Sequence, residues 1–375
     1  MAKKLGEPYP GPVPPDDFPC NTHVIPHRGR ILALQESGPL PYELDDELNT
    51  VGTYDFRGTV KGPLTAHTKF DVAAEELHAI AHHPTWNHVR HLVVGPTGRV
   101  VRTTRIPVAD APMIHDFALT ENHVVILDMP VTFDPAVAER RHRAVRLERP
   151  ASGTGRRAAP QGGAVRWFEV DPVFYSHTLN AYEEGPHIVV DMTNFDAPFL
   201  VAGNGSGGPY GAGTPRLDRW TIDLRQGRVR TRTLDDRPQE FPQVNEALVS
   251  RRHRYGYSAA AAEMSLAYQA VDGIPPDGAF ANALIKHDLL RGTSEVHLLP
   301  EGAAASEAVF VPSGPCDGRA AEDDGYAIAY VHNPDRRASD LVILAAQDFT
   351  GEPVARIPLP GRVPLGFHGS WIPDA

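Results

Sequence analysis

Short stretches of alternating apolar and polar residues recur along the chain, and Gly, Pro, Asn or Asp bounds most of them. A period of two residues places successive side chains on opposite faces of an extended strand, so this pattern predicts half-buried β-strands. The clearest predicted strands lie at residues 91–94, 124–128, 187–192, 326–331 and 341–345.

A short glycine-led unit also repeats, as Gly-Arg-Val-Val-Arg at 98–102, Gly-Arg-Val-Arg-Thr at 227–231 and Gly-Glu-Pro-Val-Ala-Arg at 351–356. Each copy leads from a polar segment into a strand. Repeated antiparallel hairpins of this kind are typical of β-propeller blades. The pattern therefore predicts an all-β propeller, and without a clear boundary we expect residues 1–375 to form a single domain.

Two stretches are predicted to be helical, residues 72–82 and the Ala-rich residues 258–270, both short enough to be insertions between blades. Residues 139–163 are basic and then rich in Gly and Pro, which indicates a solvated excursion or mobile loop. No aromatic residues alternate with these charges, so the segment does not predict a nucleic-acid surface.

Composition supports this fold class and narrows the function. The 33 Gly and 36 Pro make up about 18% of the 375 residues, against about 12% in an average protein, as expected where turns join many strands. A net charge of −11 argues against nucleic acid as a partner. Two distant cysteines, Cys20 and Cys316, provide neither a disulfide framework nor a cysteine zinc site. We therefore expect the protein to be located in the reducing cytoplasm.

Eighteen histidines are present, and most histidines in proteins are hydrogen-bonded or surface residues rather than metal ligands. Four stand out because each lies in a segment of small, apolar and turn residues near a strand end, where a propeller directs side chains toward its axis. They are His67, His115, His177 and His368.

Neutral imidazoles suit Fe(II), but they leave its charge uncompensated unless carboxylates accept a hydrogen bond from the other ring nitrogen. Glutamates in apolar or turn contexts are therefore candidates for that support: Glu36, Glu240 and Glu307. On the sequence alone, each is more simply interpreted as a solvated loop residue, which is the more common situation for a glutamate.

Six ordered segments extend these observations over nearly the whole chain. They are Leu-Thr-Ala-His-Thr-Lys at 64–69, Met-Ile-His-Asp-Phe at 113–117 with Leu-Thr-Glu-Asn at 119–122, His177 with Asn-Ala-Tyr-Glu-Glu-Gly at 180–185, Glu-Phe-Pro at 240–242, Glu-Asp-Asp-Gly-Tyr at 322–326 and Gly-Phe-His-Gly-Ser-Trp at 366–371. In this order they resemble the carotenoid cleavage oxygenase family, which includes apocarotenoid oxygenases and lignostilbene dioxygenases.

The resemblance implies a seven-bladed propeller with one Fe(II) on its axis. Carried over position by position, the ligands fall on His67, His115, His177 and His368, with Glu36, Glu240 and Glu307 behind them. Four protein ligands leave two positions on an octahedral iron for O2 and a water. The implied reaction is cleavage of a conjugated C=C bond of an apocarotenoid or stilbene to two carbonyl products, and no acid–base residue is required.

Some positions depart from the family pattern. Thr68 stands where Pro is usual, Ala308 follows Glu307 where Pro is usual, and Gln35 replaces a Lys that stilbene cleavers tend to carry, which favours an apolar alkene. The chain also lacks the long segment that normally precedes residues 21–38, so we expect about one blade to be missing at the N-terminus.

Two other functions stay open on the sequence alone. One is an inactive, metal-binding propeller without a substrate tunnel, and the other is an isomerase or hydrolase that uses the iron as a Lewis acid. No run of about 18 apolar residues could span a bilayer, so any membrane association would be peripheral, for uptake of an apolar substrate.

Overall fold

Antiparallel β-strands provide nearly all the regular structure, which confirms the all-β prediction. The computed structural model describes residues 20–36, 40–83, 86–108, 113–128, 165–171, 173–195, 214–261, 282–314, 320–364 and 366–373. It also describes the backbone of residues 131–133, 145–147 and 154–158. Within these residues the helical elements are two single 3-10 turns, at Glu246–Leu248 and Ala346–Asp348.

Six sheets of four or five strands follow one another along the described chain. The first sheet consists of β1 (His23–His27), β2 (Arg30–Leu34), β3 (Tyr42–Leu44) and β4 (Thr50–Thr53), and the second of β5 (Lys69–Asp71), β6 (Glu76–Ala81), β7 (His88–Val94) and β8 (Val100–Pro107). The third consists of β9 (Ala118–Leu119), β10 (Val124–Asp128), β13 (Thr154–Ala158) and β14 (Arg166–Glu169). Between β10 and β13 the chain forms a separate hairpin of β11 (Val131–Phe133) and β12 (Val145–Leu147).

The last three sheets consist of β15 (Phe174–Glu184), β16 (His187–Phe195), β17 (Pro215–Asp223) and β18 (Arg228–Asp235); β19 (Gln239–Gln243), β20 (Tyr255–Ala260), β21 (Ala283–Asp288) and β22 (Thr293–Leu298); and β23 (Ala304–Ala305), β24 (Val309–Pro312), β25 (Gly325–Asn333), β26 (Ala338–Ala345) and β27 (Ala355–Pro358). All strand pairs are antiparallel, and β23 and β24 both pair with β25 as two halves of an interrupted first strand.

The last strand of each sheet is more exposed than the strands before it. The first nine residues of β15 are buried, whereas β18 and β27 are mostly exposed. Neighbouring sheets pack face to face, for example where Tyr257 and Leu284 of the fifth sheet join one apolar cluster with Ala327 and Val342 of the sixth. Meandering sheets with a buried first strand and an exposed last strand form a β-propeller.

The five strands predicted from alternation are all present, within β7, β10, β16, β25 and β26. The predicted helix at residues 72–82 is wrong, because its second half is the buried strand β6, which pairs with both β5 and β7. In the second predicted helix, residues 258–260 end strand β20, and residues 262–270 lie outside the described part of the chain.

The prediction of a solvated excursion at 139–163 is partly wrong. Its backbone contributes β12 and β13, and β13 pairs with β10 on one side and β14 on the other. The segment thus completes the third sheet, and its remaining residues lie outside the described ranges. Backbone pairing can hold a strand in place even where its own sequence is polar, as long as one neighbour is buried.

The C-terminal segment meets the first sheet. The backbone N–H of His368 donates to the carbonyl of Thr22 at 3.1 Å, and His23 Nε2 lies 3.0 Å from Ser370 Oγ.

On the sixth sheet, Tyr330 and Ile357 face an open recess of about 1630 Å³. Among the described residues there is no helical segment with the length and hydropathy that a bilayer crossing requires.

Gly325 begins β25 beside the backbone of its partner strand. A Cβ atom there would overlap the carbonyl oxygen of Val311 and lie 2.8 Å from Phe310 Cζ. We therefore expect Gly325→Ala to lower the free energy of unfolding by about 1–3 kcal/mol, as overpacking does. Gly314→Ala is the matched control, because a Cβ there meets no atom within 4 Å. Urea unfolding curves compare the two, and equal midpoints would contradict this packing.

Candidate metal centre

The four histidines predicted from the sequence lie together in the buried centre of the structure. The ring centroid of His67 is 4.5 Å from that of His115, 5.1 Å from that of His177 and 4.6 Å from that of His368. The rings of His177 and His368 are 4.7 Å apart. Residues from four separate parts of the chain thus place their imidazoles around one point.

Irregular backbone positions hold each of these rings. His67 lies two residues before β5, and His115 lies three residues before β9. His177 lies within β15 at an interruption of its pairing with β16, between Tyr175 and Thr178. A β-bulge of this kind redirects a side chain that regular pleating would point elsewhere. His368 comes from the C-terminal segment that meets the first sheet.

Each of the three predicted glutamates approaches the Nδ1 of a different histidine. Glu240 Oε2 lies 2.7 Å from His177 Nδ1, Glu307 Oε1 lies 2.9 Å from His368 Nδ1, and Glu36 Oε2 lies 3.2 Å from His115 Nδ1. Each carboxylate therefore engages the Nδ1 of its histidine and leaves Nε2 available. The sequence did not indicate which glutamate serves which histidine, and the structure makes this pairing explicit.

The carboxylates are themselves held by hydrogen bonds. Thr193 Oγ1 donates to Glu240 at 2.9 Å, and Ser176 donates to the same oxygen. Glu307 accepts from the backbone N–H of Gly369 at 2.8 Å and from the amide of Gln243. Because Glu240 and Glu307 are almost fully buried, these donors offset the cost of removing a charge from water.

Shifts in pKa favour neutral rings at His67 and His177 and a charged carboxylate at Glu36. Burial lowers the pKa of His67 well below its ordinary value, and the neighbouring histidines add to the effect. Burial also lowers the pKa of His177, although Glu240 opposes this. For Glu36, burial alone would raise the pKa, but contacts with His115 and His82 lower it to about 2. Neutral imidazoles beside ionised carboxylates are the state that binds a metal cation.

The donor set fits a transition-metal ion. His115 Nε2 and His177 Nε2 are 3.1 Å apart, close to the separation of about 3 Å expected for adjacent nitrogens each about 2.1 Å from one ion. One ring nitrogen from each of His67, His177 and His368 lies within 4.8 Å of the others. The buried His67 Nε2 has no hydrogen-bond partner, which a bound cation would supply.

A second network connects three of the ligand segments, and sequence reasoning did not identify it. The buried Asp116 forms an ion pair with Lys69 at 3.0 Å and accepts hydrogen bonds from the backbone N–H and the hydroxyl of Thr178 at 2.8 and 2.7 Å. These three residues are adjacent or near-adjacent to His115, His67 and His177 in sequence. In the sequence, the position of these residues beside the predicted ligands is the signal that could have identified the network.

His82 is a further neighbour of the site that was not among the histidines predicted from the sequence. Its Nε2 lies 3.6 Å from Glu36 Oε1, on the opposite carboxylate oxygen from His115. Glu36 therefore contacts the imidazoles of His82 and His115 through its two oxygens, and its Oε2 also lies 3.7 Å from His67 Nε2.

A cavity of about 570 Å³ adjoins the histidines. His67, His177 and His368 form part of its wall, and most of the remaining wall is apolar. Representative apolar lining residues are Ile25, Leu119, Leu179, Val244, Phe310 and Trp371. A cavity of this size and character suits a mostly apolar small molecule.

Comparison with known proteins agrees with this arrangement. The model of the RPE65 (retinal pigment epithelial membrane protein) family matches residues 9–373. The chain is 37% identical to a carotenoid cleavage oxygenase of Mycobacterium tuberculosis over 94% of its own length and 77% of the relative's. The chain belongs to the RPE65/carotenoid oxygenase family. This confirms the resemblance found in the sequence and the prediction of an oxidoreductase enzyme.

Other relatives fall in the same family. An isoeugenol monooxygenase of Pseudomonas nitroreducens is 33% identical over 94% of this chain and 75% of its own length. The crystal structure of a Pseudomonas brassicacearum lignostilbene dioxygenase superposes with a TM-score of 0.85 at 30% identity, covering 96% of this chain and 77% of that one. Cobalt-substituted Synechocystis ACO gives a TM-score of 0.82 at 26% identity, covering 95% and 74%.

Removing the charge of Asp116 tests the network that connects the ligand segments. We expect Asp116→Asn to weaken Co(II) binding by about 10- to 100-fold, because Lys69 loses its partner and the segments of His67 and His115 lose their common anchor. Optical titration with Co(II) measures the affinity. Glu121→Gln is the control, since Glu121 is an exposed carboxylate of the same segment that pairs with Arg251. Unchanged Co(II) affinity in Asp116→Asn would contradict the role of the network.

Glu36 raises the pKa of His115 against the effect of burial. A raised pKa means that His115 takes up a proton at higher pH than His67 and His177, whose pKa values are lowered, so it is the first of these three to leave the metal-binding state on acidification. We expect Glu36→Gln to lower the pKa of His115 in the metal-free protein. Histidine side-chain NMR titration measures this shift, and a pKa that stays the same or rises in the variant would contradict the assignment.

Proposed function

We propose that this protein is an Fe(II)-dependent dioxygenase that cleaves a conjugated C=C bond of an apolar alkene to two carbonyl products. The observation that carries the proposal is the convergence of four imidazoles beside an apolar cavity, with a carboxylate on the Nδ1 of three of them. Membership of a family whose relatives are named carotenoid cleavage oxygenase and isoeugenol monooxygenase supports the reaction class.

His67, His115, His177 and His368 would hold the iron, and Glu36, Glu240 and Glu307 would orient the rings and balance the charge. Imidazole nitrogens are suitable ligands for Fe(II), and ligand histidines commonly donate their other N–H to a carboxylate. Three carboxylates around one group of neutral rings are unusual without a cation, since charges removed from water need a partner. The composition of the site therefore favours a divalent ion.

When bound, iron supplies the activation of O2. The residues of this chain contribute binding and exclusion of water. Apolar side chains such as Leu119, Leu179 and Phe310 line the cavity and would hold the alkene beside the imidazoles. Low water content protects reactive species from side reactions. With four imidazoles committed as ligands, the proposed cleavage requires no general acid or base from the protein.

The proposed substrate is an apocarotenoid or stilbene-like alkene, and O2 is the co-substrate. Relatives support both alternatives, since one is named a carotenoid cleavage oxygenase and a structural neighbour is a lignostilbene dioxygenase. An apolar substrate would partition into membranes. We therefore propose that this protein is cytoplasmic and takes up its substrate through peripheral contact with a membrane.

We also propose that these sheets are six blades of the seven-bladed architecture that the sequence resemblance implies. Six sheets are described, and the sixth carries Tyr330 and Ile357 on a face with no sheet against it among the described residues. A sheet with apolar side chains on both faces is suited to packing on both sides. Such a face would fit the further blade.

Replacing one ligand tests the proposal. We expect His177→Ala to lose Fe(II) binding and alkene cleavage together, because the other three imidazoles cannot hold the ion with the same affinity or geometry. His187→Ala is the control, since His187 is a partly exposed histidine at the start of the neighbouring strand. The protein is loaded with Fe(II) without oxygen, its metal content is measured, and products from apocarotenals and stilbenes are analysed by mass under labelled O2.

Label in the carbonyl products of the wild type, absent in His177→Ala and retained in His187→Ala, supports the proposal. Turnover without O2 would point instead to an isomerase or hydrolase that uses the ion as a Lewis acid. Bound iron without turnover of any alkene would point to an inactive metal-binding propeller. If His177→Ala kept both iron and activity, the ligand assignment would be wrong.

A further inference from the structure

His23 is a histidine of strand β1 that lies beside the metal centre without belonging to the four proposed ligands. Its ring centroid is 5.5 Å from that of His368, and it lines the same cavity as His67 and His368. The side chain is half-buried. His23 is thus a neighbour of the ligands that the proposed reaction does not use.

Both ring nitrogens of His23 are engaged, each by a different segment of the chain. Nδ1 lies 3.1 Å from the backbone carbonyl oxygen of Ala66, and Nε2 lies 3.0 Å from the hydroxyl of Ser370. A carbonyl oxygen can only accept, so Nδ1 carries the proton and donates to Ala66. Burial lowers the pKa of His23 to about 4, so the ring is neutral at neutral pH and Nε2 accepts from Ser370.

The two partners of His23 adjoin two of the proposed ligands. Ala66 immediately precedes His67, and Ser370 follows His368 by two residues. One imidazole therefore joins the segment of His67 to the segment of His368, which are far apart in the chain. The carboxylates behind the ligands orient single rings, whereas His23 connects two ligand segments to each other.

Sheet pairing does not hold the segment that carries His368. Among the described residues the last strand is β27, and His368 lies in the irregular backbone that follows it. Hydrogen bonds hold residues 368–370 instead, and two of them go to consecutive residues where β1 begins. The backbone N–H of His368 donates to the carbonyl of Thr22 at 3.1 Å, and the hydroxyl of Ser370 donates to His23.

Ligands on irregular backbone need such contacts, because a metal ion binds tightly only where its ligands are already held in a suitable geometry. The ring centroids of His67 and His368 are 4.6 Å apart. Groups that orient ligands from behind commonly change metal affinity by about 10- to 100-fold when they are replaced. Since both nitrogens of His23 already have protein partners, its geometry favours a role in positioning over a role as a ligand.

We propose that His23 is a positioning residue, which keeps the segments of His67 and His368 at the separation that the metal ion requires. The inference rests on the proposed function for the identity of the ligands. It goes beyond that function, because it assigns a role to a residue outside the ligands and their carboxylates. The connection needs the bond to Ala66 and the bond to Ser370 together, so once one is lost the other contributes little.

The test is a double-mutant cycle on the full chain without metal, with Co(II) as the probe. Optical titration gives the Kd of Co(II) for the wild type, His23→Phe, Ser370→Ala and the double variant. We expect His23→Phe to weaken binding by about 10- to 100-fold and Ser370→Ala by about 3- to 10-fold. Because the bond of Ser370 exists only with His23, Ser370→Ala should add less than about twofold in the His23→Phe background.

Two further measurements separate positioning from a general loss of stability. The visible absorption bands of bound Co(II) report the geometry around the ion, and we expect them to shift in His23→Phe. Hydrogen exchange of the metal-free protein, followed by mass spectrometry, should become faster in a peptide covering residues 366–373, because one attachment of that segment is lost.

Two other variants serve as comparisons. His23→Gln retains one donor and one acceptor on its amide, so it should recover part of the Co(II) affinity that His23→Phe loses. His297→Phe is the control, because His297 is a buried histidine of strand β22 whose ring lies 6.4 Å from that of Phe349. We expect its Co(II) affinity and absorption bands to match those of the wild type.

Non-additive losses of Co(II) affinity, shifted absorption bands and faster exchange at residues 366–373 support the proposal. Unchanged affinity in His23→Phe, additive effects of the two substitutions, or an equal loss in His297→Phe would overturn it. If the wild type binds no Co(II), the proposed ligand set and function fail, whereas the exchange rates of the metal-free protein still decide whether His23 holds the segment of His368.

Discussion

The hydrogen bond between a buried carboxylate and the Nδ1 of a histidine is the interaction on which this centre depends. It occurs twice, at Glu240 with His177 and at Glu307 with His368, and Glu36 Oε2 approaches His115 Nδ1 at 3.2 Å in the same manner, so that each Nε2 can face a common point. A glutamate as fully buried as Glu240 is stable only with strong hydrogen bonds and a nearby positive charge. Histidine, serine and threonine supply the hydrogen bonds here, and a divalent ion would supply the charge.

The propeller makes this arrangement possible because most of the site residues lie in the first strand of a sheet or in the segment leading into it. His67 leads into the second sheet, His177 and Glu240 belong to the first strands of the fourth and fifth, and Glu307 lies in the gap in the first strand of the sixth, whereas Glu36 follows β2 of the first sheet. Bulges at His177 and near Phe241 interrupt the regular pairing at these positions. Regular strand pairing is thus interrupted where side chains turn toward the centre. Asp116 connects two of these segments, through its hydrogen bond from Thr178 and its ion pair with Lys69.

The sequence predicted the strands with clear alternation and, through ordered motifs, the seven residues that meet at the centre. It failed at β6, because five consecutive buried residues show no period of two, and an apolar run with Glu and His can resemble a helix face. The pairing of each glutamate with its histidine and the Asp116 network also escaped prediction. These features depend on contacts between residues some 50 to 80 positions apart, which local patterns do not record.

X-ray absorption at the iron edge of the Fe(II)-loaded protein measures the atoms bound to the metal and so tests the central claim most directly. The account predicts scattering from four imidazole rings at one Fe–N distance range, with the remaining ligands light oxygen donors from solvent. Fewer than four imidazoles, a sulfur ligand, or direct coordination by a glutamate carboxylate would contradict it. In that case the carboxylates would be ligands themselves rather than the groups that orient the histidines.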